Sequence, residues 1–298
     1  MEQKQIFKGA ALACLGAFGW GISGICSQYL FMHYDLAADW LTAVRMLLSG
    51  IVLLATALPK EHTRVFKIWK VRRDVLWLLA FALTGLLLCQ YSFLAAIKYT
   101  NSATATVLQS LNVVLMAAVM AVWNRKRMEN MQIAAVVLAL SGTYLIATKG
   151  SLTSIRLSAA GLIFGILSAV GVVTYTLLSR PIIGTWGNIM VTGWGMLVGG
   201  TVLFALTKAW NLPQNLDGMA WLMIAVIVLV GTAIGFSVFL ESVRYIGPVK
   251  ATLIGCLEPV TATVLSAVLF QTRFSWAELL GFGFILLTVF LSVFPKKH

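Results

Sequence analysis

The sequence predicts an all-α integral membrane protein of ten transmembrane helices, built from two inverted five-helix repeats. Of its 298 residues, 60% are hydrophobic and only 11% are charged, and the mean hydropathy is +0.91. An ordinary soluble domain is about a quarter charged. The apolar residues fall in runs of about twenty, which is the length that crosses ~30 Å of hydrocarbon. The third observation is an internal repeat, described below.

The apolar runs are joined by short connections. The longest charged connection, Pro59 to Asp74, is too small to hold a soluble catalytic domain. One membrane domain is therefore expected to fill residues 1–298. The first run, Gly9 to Phe31, is longer than a typical secretory signal core and is interpreted as a retained helix. The predicted spans are 8–31, 37–58, 75–97, 102–123, 130–148, 157–179, 187–208, 219–242, 249–271 and 274–294.

The strongest organisational signal is the repeat. The segment LAAIKYTNSATATVLQSLNVV, Leu94 to Val114, aligns without a gap on LESVRYIGPVKATLIGCLEPV, Leu240 to Val260, at a constant offset of 146 residues (240 minus 94). The two repeats are expected to occupy residues 1–149 and 150–298. Because each holds five spans, an odd number, the second must cross the membrane in the opposite orientation. Inverted repeats are typical of transporters that open alternately to either side of the membrane.

The formal charge of +12 follows membrane topology and does not indicate a nucleic-acid-binding surface. The positive-inside rule places both termini in the cytoplasm. The expected location of the chain is the plasma or inner membrane. The basic 59–74 loop either anchors this topology or also contacts anionic lipid. The basic residues assigned to the inside are Lys4, Lys8, Lys60, Arg64, Lys67, Lys70, Arg72, Arg73, Arg125, Lys126, Arg127, Arg180, Arg244, Lys250, Lys296 and Lys297. Those assigned to the outside are Lys98, Lys149, Arg156, Lys208 and Arg273.

The second half carries a distinctive pattern. It comprises the run Gly247 to Ala251, GPVKA, then Leu257 to Val260, LEPV, and finally Glu278 and Gly281 in the last span. Over nearly the whole chain the sequence resembles the EamA-like transporters of the drug/metabolite transporter superfamily. The resemblance implies a central cavity lined mainly by spans 1, 3, 4, 6, 8 and 9, and members that commonly export amino acids or other metabolites. This chain has Asn112 followed by valine where that family often has proline, so span 4 is expected to be straighter than span 9.

Glu258 is the leading candidate for a functional residue, because it lies deep in its predicted span. A charge at a helix centre costs at least ~2.5–3.5 kcal/mol on insertion scales, so such residues usually face a cavity or a partner. The neighbours on its helix face are small, namely Ala251, Gly255 and Ala262. Glu258 either binds a cationic group or carries a coupling proton, or its carboxyl bonds a neighbouring helix or a carbonyl freed by Pro259.

Further polar and aromatic side chains are predicted at similar depth. Asn112, the repeat partner of Glu258, forms a polar stripe with Gln109 that either orients a zwitterionic or amide-bearing substrate or bonds across helices. Trp20 either forms a wall for a flat or cationic substrate or packs against other helices. The predicted substrate-binding residues are Trp20, Ser23, Gln90, Tyr91, Gln109, Asn112, Tyr175, Phe236, Ser237 and Glu258.

The candidates for coupling or gating are Glu258, Glu241 and Arg45. Arg45 lies well inside span 2, so it must face protein or water and seek an acid, a carbonyl or an anionic substrate group. Glu241 and Arg244 are three residues apart at a helix end, and this spacing predicts a local ion pair. A gating role for that pair is the alternative.

Together these features predict a secondary transporter of a small polar metabolite, with an amino acid as first choice of cargo and a choline-like or other organic cation as second. A membrane enzyme is disfavoured because no histidine cluster, aspartate-rich motif or nucleotide-binding loop is present. Neither a cofactor nor a metal site is expected. The alternatives are a passive channel and a non-transporting partner subunit. The expected partners are a small-molecule substrate, protons as an optional coupling ion, and membrane lipids, in a monomer or homodimer.

Overall fold

The structure is a computed structural model that describes residues 2–124, 130–148, 158–213, 216–270 and 275–293. All regular structure in these residues is helical, which confirms the all-α membrane class. Several basic residues of the predicted topology lie outside this part of the chain, namely Arg125, Lys126, Arg127, Lys149, Arg156, Arg273, Lys296 and Lys297. The α-helices are α1 Glu2–Tyr34, α2 Ala38–Glu61, α3 Arg64–Lys67, α4 Arg72–Ala80, α5 Leu88–Tyr99, α6 Ser102–Gln109, α7 Asn112–Asn124, α8 Asn130–Thr148, α9 Ala159–Trp186, α10 Asn188–Leu206, α11 Gly218–Val226, α12 Gly235–Gly255, α13 Leu257–Phe270 and α14 Trp276–Val293.

Seven helical stretches within the described residues are long and apolar enough to cross a membrane. The longest, Gly218–Leu269, contains two of the predicted spans. These are separated by a kink at Gly247, whose φ of 79° is a left-handed conformation that suits glycine, and Pro248 follows it. The membrane class is therefore confirmed, while the count of ten spans stays a prediction.

Spans 4 and 9 are both broken, and the two breaks lie at repeat-equivalent positions. In span 4, α6 ends at Gln109 and α7 begins at Asn112; in span 9, α12 ends at Gly255 and α13 begins at Leu257. The expectation that span 4 is straighter than span 9 stays a prediction. A proline is not needed there, because the Asn112 Nδ2 donates to the carbonyl oxygen of Gln109 at 2.6 Å and satisfies a group that the break leaves free.

A second pair of irregularities also repeats. A π-helical segment, Phe81–Leu87, joins α4 to α5, and another, Ile227–Ile234, joins α11 to α12. Their first residues are 146 positions apart, which is the offset of the repeat (227 minus 81). Such wide turns are rare and often occur at functional sites. The structure thus repeats its irregular backbone as well as its regular helices.

The helices of the two halves interlock. The first helix, α1, packs along α12 and α13, and α2 packs along α10. At one end of α1, the Tyr34 hydroxyl donates to Asp217 Oδ1 at 2.6 Å, just before α11. At the corresponding end of α9, Trp186 Nε1 donates to Asp74 Oδ2 at 2.7 Å, in the first turn of α4. Each half therefore supplies a helix that is fixed to the other half.

Candidate functional site

Two adjoining cavities lie at the broken helices, where the halves meet. They share the side chains of Trp20, Gln109, Val172 and Glu258. Each has an open volume of about 20 Å³, which is room for about one water molecule. A metabolite is larger than this volume, so the lining side chains must move apart to admit one. The first cavity is lined by Trp20, Ser23, Arg45, Cys89, Gln90, Phe93, Gln109, Val172, Tyr175, Phe236 and Glu258. The second is lined by Trp20, Thr106, Gln109, Ser110, Asn112, Val172, Phe239, Thr252, Gly255, Cys256 and Glu258.

The second cavity is built largely from pairs of residues that the repeat relates. Each pair lies 146 positions apart and flanks the break in α6–α7 or in α12–α13. The pairs are Thr106 with Thr252, Gln109 with Gly255, Ser110 with Cys256, and Asn112 with Glu258. This cavity consequently straddles the boundary between the repeats, where transporters of repeated architecture hold their substrate.

Arg45 of α2 is the basic side chain of the site and is 3% exposed. Its Nε donates to Gln90 Oε1 of α5 at 2.6 Å, while Gln90 Nε2 lies 2.8 Å from Met196 Sδ of α10. Arginine donates only, so Gln90 must present its oxygen to it. The two terminal guanidinium nitrogens of Arg45 make no hydrogen bond to the residues that the structure describes. They are thus free to meet an acceptor in the cavity.

Glu258 lies across the same cavity, in the first turn of α13, and is 6% exposed. Within the described part of the chain, Glu258 has neither a hydrogen bond nor an ion pair, and it is not paired with Arg45. Its carboxyl therefore also faces the cavity without a protein partner.

Aromatic rings close one wall of the site. The ring of Trp20 lies 5.1 Å from that of Phe236 and 4.8 Å from that of Phe239, and Tyr175 lies 5.4 Å from Phe236. The Trp20 Nε1 is buried without an acceptor among the described residues. A buried donor without a partner is uncommon, and a bound ligand is one way to satisfy it.

The structure brings most of the predicted site residues together. Of the twelve residues predicted for binding, coupling or gating, eight line the first cavity and Asn112 lines the second. The other three, Tyr91, Ser237 and Glu241, line neither cavity. Tyr91 packs edge-on against Phe164. Ser237 is buried beside the cavity, and its carbonyl accepts a hydrogen bond from Asn188 Nδ2. Glu241 forms the expected ion pair with Arg244, at 3.1 Å.

The sequence analysis did not select several lining residues, although the repeat alignment marked four of them. Thr106 and Thr252 are an identical pair in the repeat alignment, and Phe93 and Phe239 are another. Both pairs therefore marked the cavity. Cys89 has no such signal; its thiol lies 3.7 Å from Gln109 Nε2. All four cysteines, Cys14, Cys26, Cys89 and Cys256, are free thiols.

Apolar membrane helices, arranged in two interlocking halves around small cavities that contain a few polar side chains, define a polytopic membrane transporter. The chain belongs to the EamA-like transporter family, which matches residues 7–148 and again residues 159–294. The double match confirms the two-repeat architecture and the resemblance noted in the sequence.

Known relatives agree with this assignment. The "Uncharacterized inner membrane transporter YicL" of Salmonella typhimurium (strain LT2) is 34% identical, over 98% of this chain and 97% of its own. The "Uncharacterized transporter YwfM" of Bacillus subtilis (strain 168) is 24% identical, over 95% and 93%. A solved structure described only as "Crystal structure of protein" superposes with a TM-score of 0.71 at 19% identity, covering 98% of this chain and 96% of its own, and shows the fold alone.

Proposed function

We propose that the chain is a secondary transporter of the inner membrane that exports an amino acid or related small metabolite by alternating access. Membership of a transporter family supports transport, and the name of the relative from Salmonella typhimurium supports the inner membrane. Export follows the common activity of the family that the sequence resembles. The observation that carries the proposal is Glu258, an unpaired acid facing an aromatic-walled cavity between the two repeats.

The chemistry of this cavity suits a substrate with a positive group. The Glu258 carboxyl offers acceptor oxygens, and the faces of Trp20, Tyr175 and Phe236 offer negative electrostatic potential to a cation. An ammonium group binds to both. The same wall favours organic cations of the choline type, which are the second candidate cargo.

The repeat-equivalent breaks beside the cavity support alternating access. Half-helices that end at a site provide main-chain groups and dipoles for a ligand, and related halves adopt two related conformations. Proton coupling through Glu258, a monomeric or dimeric state, and cytoplasmic termini complete the proposal.

Counterflow in proteoliposomes tests the transport function. Vesicles are loaded with unlabelled amino acids, and the entry of traces of labelled L-alanine, L-leucine, L-phenylalanine and choline is followed. A carrier gives transient, saturable accumulation of one class of label, and Glu258→Gln removes it. Flux that rises linearly with concentration indicates a channel. The absence of flux for every solute contradicts transport and favours a structural subunit.

A further inference from the structure

We propose that Arg45 binds a carboxylate of the substrate and that the cargo is a zwitterion, with its carboxylate on Arg45 and its ammonium group on Glu258. This inference rests on the proposed transport function and narrows it, because it chooses amino-acid-like solutes over organic cations. Among the partners that the sequence left open for Arg45, it chooses the anionic substrate group over a role in coupling or gating alone.

The first step is the state of the guanidinium. It is buried, and the structure provides one hydrogen bond for it, from Nε to Gln90. A guanidinium carries five N–H donors in a fixed fork, and its planar edge matches a carboxylate. An arginine inside a membrane protein needs such a partner. The terminal nitrogens of Arg45, which have none among the described residues, point to a carboxylate that arrives with the ligand.

The second step is the orientation of the fork. Gln90 fixes Nε, and its own amide nitrogen is held against Met196 of α10. Arg45 therefore cannot swing its Nε edge into the cavity without losing this hydrogen bond. Gln90 is therefore a positioning residue that leaves the terminal nitrogens of Arg45 for the ligand. Because the Gln90 side chain is neutral, it does not neutralise Arg45 as a substrate carboxylate would.

The third step is the separation of the charges. Arg45 and Glu258 line one cavity but do not form an ion pair with each other. They lie on different helices, α2 and α13. A zwitterion placed between them satisfies both charges at once. A choline-like cation satisfies only Glu258 and adds a second positive charge beside Arg45, so it is the poorer match.

Matched solutes test this assignment by thermal stabilisation of the purified protein. The probes are L-alanine, L-leucine and L-phenylalanine, together with ethylamine, 3-methylbutylamine and 2-phenylethylamine, which lack only the carboxylate. The wild type is expected to be stabilised by at least one amino acid, with at least tenfold weaker binding of its amine. The result that overturns the proposal is stabilisation by amines alone or by none of the probes.

Two variants locate the effect at Arg45. Arg45→Gln is expected to lose the preference for the amino acid over its amine, while Arg180→Gln, an exposed arginine on α9, keeps it. Gln90→Glu is nearly isosteric and supplies Arg45 with a carboxylate from the protein. It is expected to weaken binding of the amino acid at least tenfold, to strengthen binding of the amine, and to leave the melting temperature without ligand unchanged or higher.

The outcomes separate this inference from the proposed function. An unchanged preference in a folded Arg45→Gln or Gln90→Glu variant overturns the role of Arg45, even when flux is normal. If the wild type binds amino acids through Arg45 but shows no counterflow, the transport proposal fails and the binding site stands. If Arg45→Gln does not fold, Gln90→Glu decides.

Discussion

The two repeats share their irregular backbone and differ in their charged side chains. Each contains a broken helix beside the cavity, at α6–α7 and at α12–α13, and each contains a π-helical segment at the same register. The charges do not repeat. Arg45 lies in span 2, whereas its counterpart in the second half, α10, has no charged residue, and Glu258 is matched by neutral Asn112.

This difference teaches how symmetry and recognition are divided. In the proposed transport cycle, equivalent backbone irregularities are the parts that let the two halves exchange conformations. In the proposed binding mode, the asymmetric pair of charges gives the ligand one preferred orientation. Equivalent substitutions in the backbone framework of the two halves are thus expected to have similar effects. Equivalent substitutions in the binding site are expected to have different effects.

The largest effect is expected at the unlike pair, Glu258 and Asn112. Glu258→Gln keeps the shape but removes the charge, and flux should fall by about a hundredfold or more, which is roughly 3 kcal/mol, within the range for truncating a buried charge pair. Asn112→Ala should lower flux by about tenfold or less, which is the range expected for loss of a neutral hydrogen bond. Initial rates in proteoliposomes measure both.

Exchanging the two residues sharpens this comparison. The double variant Asn112→Glu with Glu258→Asn moves the acid to the repeat-equivalent side of the cavity but leaves Arg45 in place. Flux is expected to stay as low as in Glu258→Gln, because the distance between the two charges changes. Full recovery would show that the repeats are chemically interchangeable and that the asymmetry has no role.

The glycines of the π-helical segments should give the next largest effect. A Cβ on Gly231 would overlap the side chain of Ser23, and a Cβ on Gly85 would lie 2.8 Å from the Tyr175 Cα. Either glycine replaced by alanine should reduce the free energy of unfolding by about 1–3 kcal/mol, the usual range for overpacking. Thermal melting of the purified variants measures this loss.

A second substitution distinguishes these two contacts. Ser23→Gly should restore most of the stability of Gly231→Ala, because the overlap there is with a side chain. Substitution of the Tyr175 side chain should not restore the stability of Gly85→Ala, because the overlap there includes the main chain. Equal rescue at both positions, or at neither, would contradict this account of the packing.

Much of the site followed from the repeat, and the rest needed tertiary contacts. The alignment alone pairs Asn112 with Glu258. Polar residues at equivalent positions in two related halves converge on the boundary between the halves, so this pair indicated the site. The hydrogen bond between Arg45 and Gln90 was not predictable, because it joins spans 2 and 3, which the repeat does not relate. The break in span 4 was missed because Asn112 replaces proline through its own side chain.

A smaller effect is expected at the aromatic wall, where Trp20 contributes an indole N–H donor that the phenylalanine rings lack. Trp20→Phe keeps a ring but removes Nε1, which is buried without an acceptor in the described residues. The melting temperature should stay constant or rise, because an unsatisfied donor is lost. The concentration for half-maximal flux should rise about two- to tenfold, as for one hydrogen bond to the substrate. An unchanged value would assign the indole to packing alone.

The smallest effect is expected where α1 meets α11 at the surface. The Tyr34 hydroxyl and the Ala220 N–H donate to Asp217, and these bonds hold the pKa of that carboxyl below its ordinary value of 3.8. A lowered pKa in the folded state contributes stability above the ordinary pKa, and this contribution is lost as the pH falls through the folded value. Tyr34→Phe should therefore lower the melting temperature slightly at about pH 7, and the difference from the wild type should shrink below about pH 4.

Trp186→Phe removes the equivalent bond to Asp74 and is the matched comparison for the other repeat. If the melting temperature of Tyr34→Phe differs from that of the wild type by the same amount at about pH 7 and below about pH 4, Tyr34 acts through its ring rather than through the Asp217 carboxylate.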